Sequence, residues 1–264
     1  MPLDTALPSR MAGWIRGWDL LFALTTRELI LRYRGTVLGY AWWVARPLAL
    51  GVLLWFAMRK VLAVDVPHYP LFIMTGLFPW FWFSSAVAES AGVLVSHAPL
   101  VKRVVFARAI LPLSSATGNA AQFILTLPVL IIFILVGGID PEPIWLVGIP
   151  LLVLLQFALT VGIGLMLSAL NVFFRDIGPL VDVTLTMLFY ASAVIFPLDR
   201  VPDNIRPLLL LNPLTSLMEG WRAVLLDGTL PGSDIWSAVG LSVTALIAGT
   251  IIFRSLERHI ADAL

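Results

Sequence analysis

RELILRYRGTVLGYAWWVARP, residues 27–47, decides the class of this chain. It opens with charge at helical spacing, turns at Gly35, and runs into an apolar stretch with the Trp42–Trp43 pair at its mouth and Arg46–Pro47 just inside. An amphipathic helix keeps its apolar residues on one stripe, whereas from Val37 to Met58 they cover the whole circumference and only Arg46 interrupts them. A hydrocarbon layer about 30 Å thick calls for roughly 20 such residues at 1.5 Å each. The stretch therefore predicts a helix lying at a membrane surface that feeds directly into a span.

Upstream, residues 1–13 form a polar lead with Asp4, Pro2 and Pro8 and no apolar core, so they do not read as a cleaved signal peptide. Residues 14–34 read as an amphipathic helix. Trp14, Trp18, Leu21, Phe22, Leu29 and Tyr33 fall on one side of a helical wheel, and Arg16, Asp19, Arg27 and Arg34 on the other. Glu28 and Arg32, spaced i,i+4, can pair at the edge. Such a helix lies in the bilayer interface, as a simple anchor or as a grip for something beneath it.

Downstream, apolar runs predict spans over residues 37–62, 71–96, 110–136, 144–170, 177–198 and 235–253. The composition agrees: 59% of the 264 residues are hydrophobic and 12% are charged, against about 45–50% and 25% in soluble chains. The predicted fold class is all-α and integral to the membrane, with six spans, the interface helix 14–34 and an outer hairpin, in one domain. With both termini inside, the inner segments carry Arg10, Arg16, Arg27, Arg32, Arg34, Lys102, Arg103, Arg108, Arg175, Arg254 and Arg258. The outer ones carry only Arg59, Lys60, Arg200, Arg206 and Arg222. The positive-inside rule then predicts both termini in the cytoplasm.

Residues 199–234 are not an ordinary loop. Two short apolar pieces, 208–211 and 214–226, are separated at Asn212–Pro213, where the proline disfavours a helical Asn212. Neither piece is long enough to span. They read as a broken hairpin that re-enters the membrane from outside, or as a folded external cap.

The chain offers little for catalysis. There is no phosphate-cradling G-x-x-x-x-G-K-[ST] motif, and no cysteine to serve as nucleophile or metal ligand. His68, His97 and His259 lie in separate segments without metal-ligand spacing. Gly162 and Gly164 lie mid-span, where they read as close helix packing. A net charge of +1 gives no basic surface for nucleic acid. No catalytic residue, metal site or resident cofactor is expected.

Charge inside a span is costly and marks a functional candidate, which brings forward Arg46, Glu89 and Asp182. The same residues also fit pairing or reaching to the interface. Aromatics crowd the spans: Trp42 and Trp43 in the first, Phe78, Trp80 and Trp82 around Pro79 in the second, Phe189 and Tyr190 in the fifth. Aromatic faces stack on sugar rings, so a glycan conduit is one reading and lipid-facing packing the other. Two short inner loops, HAPLVKRVVFAR at 97–108 and NVFFRD at 171–176, suit docking to a cytoplasmic partner or simple connection.

Four segments together resemble a known family: RELILRYRGTVLGYAWWVARPL at 27–48, LVKRVVFARAILPL at 100–113, NVFFRDIGPLVD at 171–182, and IFPLDRVPDNIRPLLLLNPLTSLMEGWRAVLLDG at 195–228. The chain resembles the membrane subunit of ABC-2 type exporters of bacterial O-antigen, capsular and teichoic-acid polysaccharides. It departs from the family pattern at Arg46, where Asn or an acid is usual before Pro47, and at VVFAR, where VYFPR is typical.

The resemblance implies a second copy of the chain, two copies of a separate nucleotide-binding ATPase subunit that holds ATP and Mg, and a lipid-linked polysaccharide threaded through the inner membrane. It implies partner-ATPase contacts at Arg27, Glu28, Arg32, Arg34, Lys102, Arg103, Arg108, Arg175 and Asp176. It implies a substrate channel lined by Trp42, Trp43, Arg46, Phe78, Trp80, Trp82, Glu89, Phe189 and Tyr190. An exporter of a small drug or lipid shares the topology, and a motor-free membrane assembly factor is the third reading.

Overall fold

The computed structural model describes residues 19–27, 39, 41–61, 68–104, 106–233 and 235–264, and every regular element among them is helical. Residues 19–27 form α1. α2 runs Ala41–Phe56 and continues as a π-helical turn over Ala57–Val61. α3 is Tyr69–Ser96, α4 Ala98–Arg103, α5 Ile110–Val136, α6 Trp145–Phe173 and α7 Ile177–Ala191. α8 is Arg206–Leu210, α9 Pro213–Leu225, α10 Ile235–Leu256 and α11 Ile260–Ala263. The end of the bundle bearing α4 and α11 is called the lower end, the opposite one the upper.

Five of the described helical stretches are long and apolar enough to cross a membrane: Ala41–Val61, Tyr69–Ser96, Ile110–Val136, Trp145–Phe173 and Ile235–Ala263. α7 has 15 residues and falls short of that length. The sequence carries the fifth apolar run to residue 198, yet the helix stops at Ala191. Side chains from later in the chain explain the stop. Asn212 Nδ2 donates to the Ala191 carbonyl at 3.4 Å and to Ser192 Oγ at 2.8 Å. Arg222 Nη2 donates to the carbonyls of Ala193 and Val194 at 2.7 and 3.0 Å. The Ala191 carbonyl is one that a helix end leaves open, and those of Ala193 and Val194 lie on the turn beyond it, where Ala193 enters the left-handed region with φ of 52°.

α3 is the centre of the bundle: 78% of its apolar window is buried, against 11% for α2 and 17% for α10. Helices α2, α5, α6, α7 and α9 pack around it. α6 and α10 cross at glycines. A Cβ at Gly249 would overlap the carbonyl of Gly162, and one at Gly162 would overlap the backbone of Ala245. Small residues at such a crossing let backbones meet, the main source of attraction between helices in lipid. Gly164 serves a different neighbour, since its Cβ would lie 2.9 Å from Ser90 of α3.

The lower end has its own apolar cluster, joining Leu24 of α1, Val101 of α4, Leu111, Val172, Phe253 and Ile260. Leu21, Leu24 and Thr25 are the buried stripe of α1, while Phe22 is 76% exposed. The wheel had put Leu21 and Phe22 on one face; contact with the bundle divides that face, because Leu24 joins the lower cluster and Thr25 lies beside Gly118. The rest of the predicted interface helix, residues 14–18 and 28–34, lies outside the described residues.

α8 and α9, in the segment expected to form the outer hairpin, are separated at Asn212–Pro213. Asn212 caps α9 by accepting from Leu214 N at 3.0 Å, and Pro213 occupies the first helical position, where no N–H is needed. α8 has no buried residue, whereas α9 buries Leu214 through Met218, Gly220 through Arg222, Val224 and Leu225. α9 packs between α3, α6 and α10. Asn212→Ala removes the cap and the bond to Ser192 together. It is expected to cost about 1–2 kcal/mol, the upper range for an N-cap, read as a lower midpoint of thermal unfolding in detergent.

Candidate functional site

Successive residues on a helix turn by about 100°, so Phe78, Phe81, Trp82, Ser85 and Glu89 form one stripe on α3. They meet Trp42, Trp43, Arg46 and Pro47 from the first two turns of α2, and Asn119, Gln122, Phe123 and Thr126 from α5. The three stripes line an open-sided cavity of about 370 Å³ around the middle of the bundle. Six of the nine residues expected in a channel are thus brought together: Trp42, Trp43, Arg46, Phe78, Trp82 and Glu89. Trp80 is rotated by about 200° from Phe78 on the same helix and faces the other way. It packs on Phe189 of α7, ring centroids 5.4 Å apart, and Phe189 meets Tyr190 edge-on at 5.3 Å. Trp80 is buried, while Tyr190 is 62% exposed, so these three make a second aromatic group behind the cavity.

The cavity combines aromatic walls with a polar set of Arg46, Ser85, Glu89, Asn119, Gln122 and Thr126. Trp82 stacks on Phe123 at 4.7 Å and 18°. The Trp82 indole nitrogen is buried without a hydrogen-bond partner among the described residues. Arg46 lies over the ring of Phe81, 5.4 Å from its centre, which steadies the cation at an exposed position. Asn119 Nδ2 donates to Glu89 Oε2 at 2.6 Å and to the Ser115 carbonyl at 2.8 Å, which fixes the carboxylate on the cavity wall.

Sequence reasoning missed the α5 wall. Its signal was present: Asn119, Gln122 and Thr126 sit at i, i+3 and i+7 in a helix that carries no charge. A polar stripe at that spacing in an apolar span points to a lined space or a partner helix.

Of the residues expected to meet a cytoplasmic partner, the described ones share the lower end. Arg27 ends α1 exposed, Lys102 and Arg103 are exposed on the last turn of α4, and Arg175 and Asp176 are exposed between α6 and α7. That last turn is held by Asn171, which donates to the Ala91 carbonyl at 2.8 Å and accepts from Gly178 N at 3.2 Å. Arg108 is half-buried instead: its guanidinium donates to the carbonyl of Glu257 and its amide to Glu257 Oε1 at 3.3 Å. It ties the basic loop to the end of α10. Glu28, Arg32 and Arg34 lie outside the described residues.

A family model described as ABC-2 type transporter matches residues 19–226. Over 94% of its length the chain is 34% identical to an O-antigen export system permease protein RfbA of Klebsiella pneumoniae, covering 95% of it. It is 33% identical to the protein of that name from Myxococcus xanthus, over 93% of this chain and 95% of the relative. It is 26% identical to the polysialic acid transport protein KpsM of Escherichia coli, over 89% and 92% respectively.

Proposed function

We propose, since the chain belongs to the ABC-2 type transporter family, that it is the permease subunit of an ATP-driven exporter of bacterial cell-surface polysaccharide. The observation that carries this reading is the likeness to O-antigen export permeases along 94% of the chain. The cavity is consistent with it. Rings of Trp42, Trp43, Phe78 and Trp82 offer stacking faces, and Glu89, Asn119 and Gln122 offer hydrogen bonds, as a passing glycan requires. Phe189 and Tyr190 make a separate aromatic surface on α7, behind the cavity.

In this reading the chain is a transport subunit and not an enzyme. ATP and Mg belong to a separate ATPase subunit, present in two copies beneath two copies of this chain. Arg27, Glu28, Arg32, Arg34, Lys102, Arg103, Arg175 and Asp176 meet that subunit, and Arg108 passes the contact on to α10 through Glu257. The lower end is cytoplasmic, with both termini on that side of the inner membrane. α7 makes the sixth crossing with the turn that follows it, and α8 and α9 form a hairpin re-entering from outside. The cargo is a glycan on a lipid carrier, with Arg32, Arg34 and Arg46 at the entrance to hold its phosphates by the forked contacts that guanidinium makes.

The test is to purify the tagged chain from its native membranes in mild detergent and assay for ATP hydrolysis. A stoichiometric ATPase partner is expected. A homogeneous chain with none attached overturns the reading. In whole cells, Arg32→Ala and Arg34→Ala are each expected to reduce surface polysaccharide at least several-fold while the complex still assembles. Normal export in both variants removes the carrier-phosphate role.

A further inference from the structure

Arg222 is a buried cation, 4% exposed, near the end of α9. Its guanidinium serves three elements at once. Nη1 bonds Glu219 at 2.6 Å within α9. Nη2 donates to the Ala193 and Val194 carbonyls at the exit of α7. The guanidinium carbon lies 3.6 Å from the centre of the Phe72 ring on α3. Gly76 leaves room for this arrangement, since its Cβ would stand 3.1 Å from Arg222 Nη2 and 3.3 Å from the Val194 carbonyl oxygen. One turn away, Tyr69 donates its hydroxyl to the Ile195 carbonyl at 2.8 Å.

A buried ion pair is a poor source of stability, because an apolar side chain of similar volume usually does as well. Charge beside a membrane core is a functional candidate by default. The position of Arg222 is also specific: it binds backbone carbonyls on a turn where a non-glycine residue, Ala193, is held at φ of 52°. Residues rest in that region only where their surroundings impose it. The segment beyond is thinly packed. α8 buries no side chain, and Ile205, Leu208 and Leu211 are 44%, 67% and 70% exposed. Leu198 is buried within it; Arg222 and Tyr69 bond its start at residues 193–195, and Asn212, at its far end, reaches back to residues 191–192. Arg222 Nε has no hydrogen-bond partner among the described residues, so the cation is not fully satisfied in this arrangement.

The geometry points to Arg222 as the positioning residue of an upper latch: it holds the segment 192–211 against the upper end of α3, and release of the Ala193 and Val194 carbonyls lets that segment move away. The inference rests on the export reading, in which a polymer leaves past the upper ends of α3 and α7. Opening requires no change within α9 itself, which is anchored independently by Trp221, fully buried and bonded to Gln156.

The chain has no cysteine, so one introduced thiol reports on one place. Val194 is fully buried. The complex carrying Val194→Cys is treated in right-side-out membrane vesicles, loaded with ATP and Mg or with neither, with a membrane-impermeant maleimide that reaches the upper face, and labelling of this chain is followed by mass; Ser192→Cys replaces it if that variant does not assemble. Labelling at rest is expected to be slow. Adding Arg222→Met is expected to speed it at least tenfold, and Arg222→Lys, which keeps the charge and one donor direction, less. Labelling of a control thiol at Leu130→Cys, buried in α5, stays unchanged.

ATP and Mg are expected to speed labelling at Val194→Cys when Arg222 is intact. The proposal is overturned if Arg222→Met leaves the rate unchanged or speeds the control equally. It is also overturned if Val194→Cys stays protected in a preparation that hydrolyses ATP and exports polysaccharide. A preparation that does neither counts against the export reading, and there the Arg222→Met comparison, which needs no turnover, still decides whether the latch exists.

Discussion

Gly249→Leu is expected to keep α10 from seating on α6. The obstacle is backbone: a Cβ at Gly249 meets the Gly162 carbonyl, with the Gly162 Cα 3.0 Å away. A flexible side chain rotates aside, whereas a carbonyl inside a helix moves only with its helix. The expected loss is about 3 kcal/mol or more, at or above the upper end of overpacking costs. Its consequences reach both ends of the molecule. α10 follows α9 in the chain, touches it through Ser237 and Ser216 hydroxyls 2.9 Å apart, and is followed at once by Glu257, which holds Arg108. The variant should therefore lose its monodisperse peak in detergent and fail to retain the ATPase partner. Gly92→Ala is the control, since nothing lies within 4 Å of its added Cβ. It is expected to be neutral or to gain about 0.5–1 kcal/mol from lower chain entropy when unfolded. A Gly249→Leu protein as stable as wild type would mean that the two backbones do not meet in the membrane.

The legible part of the fold was the part set by local sequence. An apolar run without charge has one outcome in lipid, a helix, because each backbone group must be satisfied within its own segment. The break at Asn212–Pro213 was equally local, since proline acts on the residue next to it. The end of α7 was not local. Residues 192–198 are apolar enough to continue, and what stops them is Asn212 and Arg222, some 20 to 30 positions later. The candidate site divides in the same way. That Phe78 and Trp82 share a face follows from helical spacing, and the same spacing sets Trp80 on the opposite side. Which face would meet α5 depended on Asn119 reaching Glu89 across 30 residues, a pairing that no local pattern announces. Glu89, a candidate because charge in a span is costly, is held by an amide from a helix that carries no charge.

Gln156→Leu carries the other large effect, and it isolates what docks α9. The Gln156 amide is fully buried, donates to the Pro79 carbonyl at 2.8 Å and accepts from Trp221 Nε1 at 2.9 Å. One side chain thereby joins α6 to α3 at its proline and to the hairpin helix. Leucine is close in volume, so the cavity term is small and the loss comes mainly from the buried Trp221 N–H left alone, because the Pro79 carbonyl lies mid-helix and keeps its partner in the α3 ladder. The expected destabilisation is about 1–3 kcal/mol. Trp221→Phe strands the amide oxygen and adds the cavity left by the smaller ring. Combining the two removes both partners of one bond, so the double variant should be more stable than the sum of the singles by about 1–2 kcal/mol. Strict additivity in thermal unfolding would mean that the bond does not form. The effect should also reach the cavity, because Trp221 meets Phe123 edge-on at 5.3 Å and Phe123 stacks on Trp82. If that wall carries glycan, Gln156→Leu lowers export more than the remaining folded complex accounts for, although Gln156 does not line the cavity. The hairpin and the cavity wall would then answer to the same buried amide, and the upper end of the molecule would constrain the middle through side-chain packing alone.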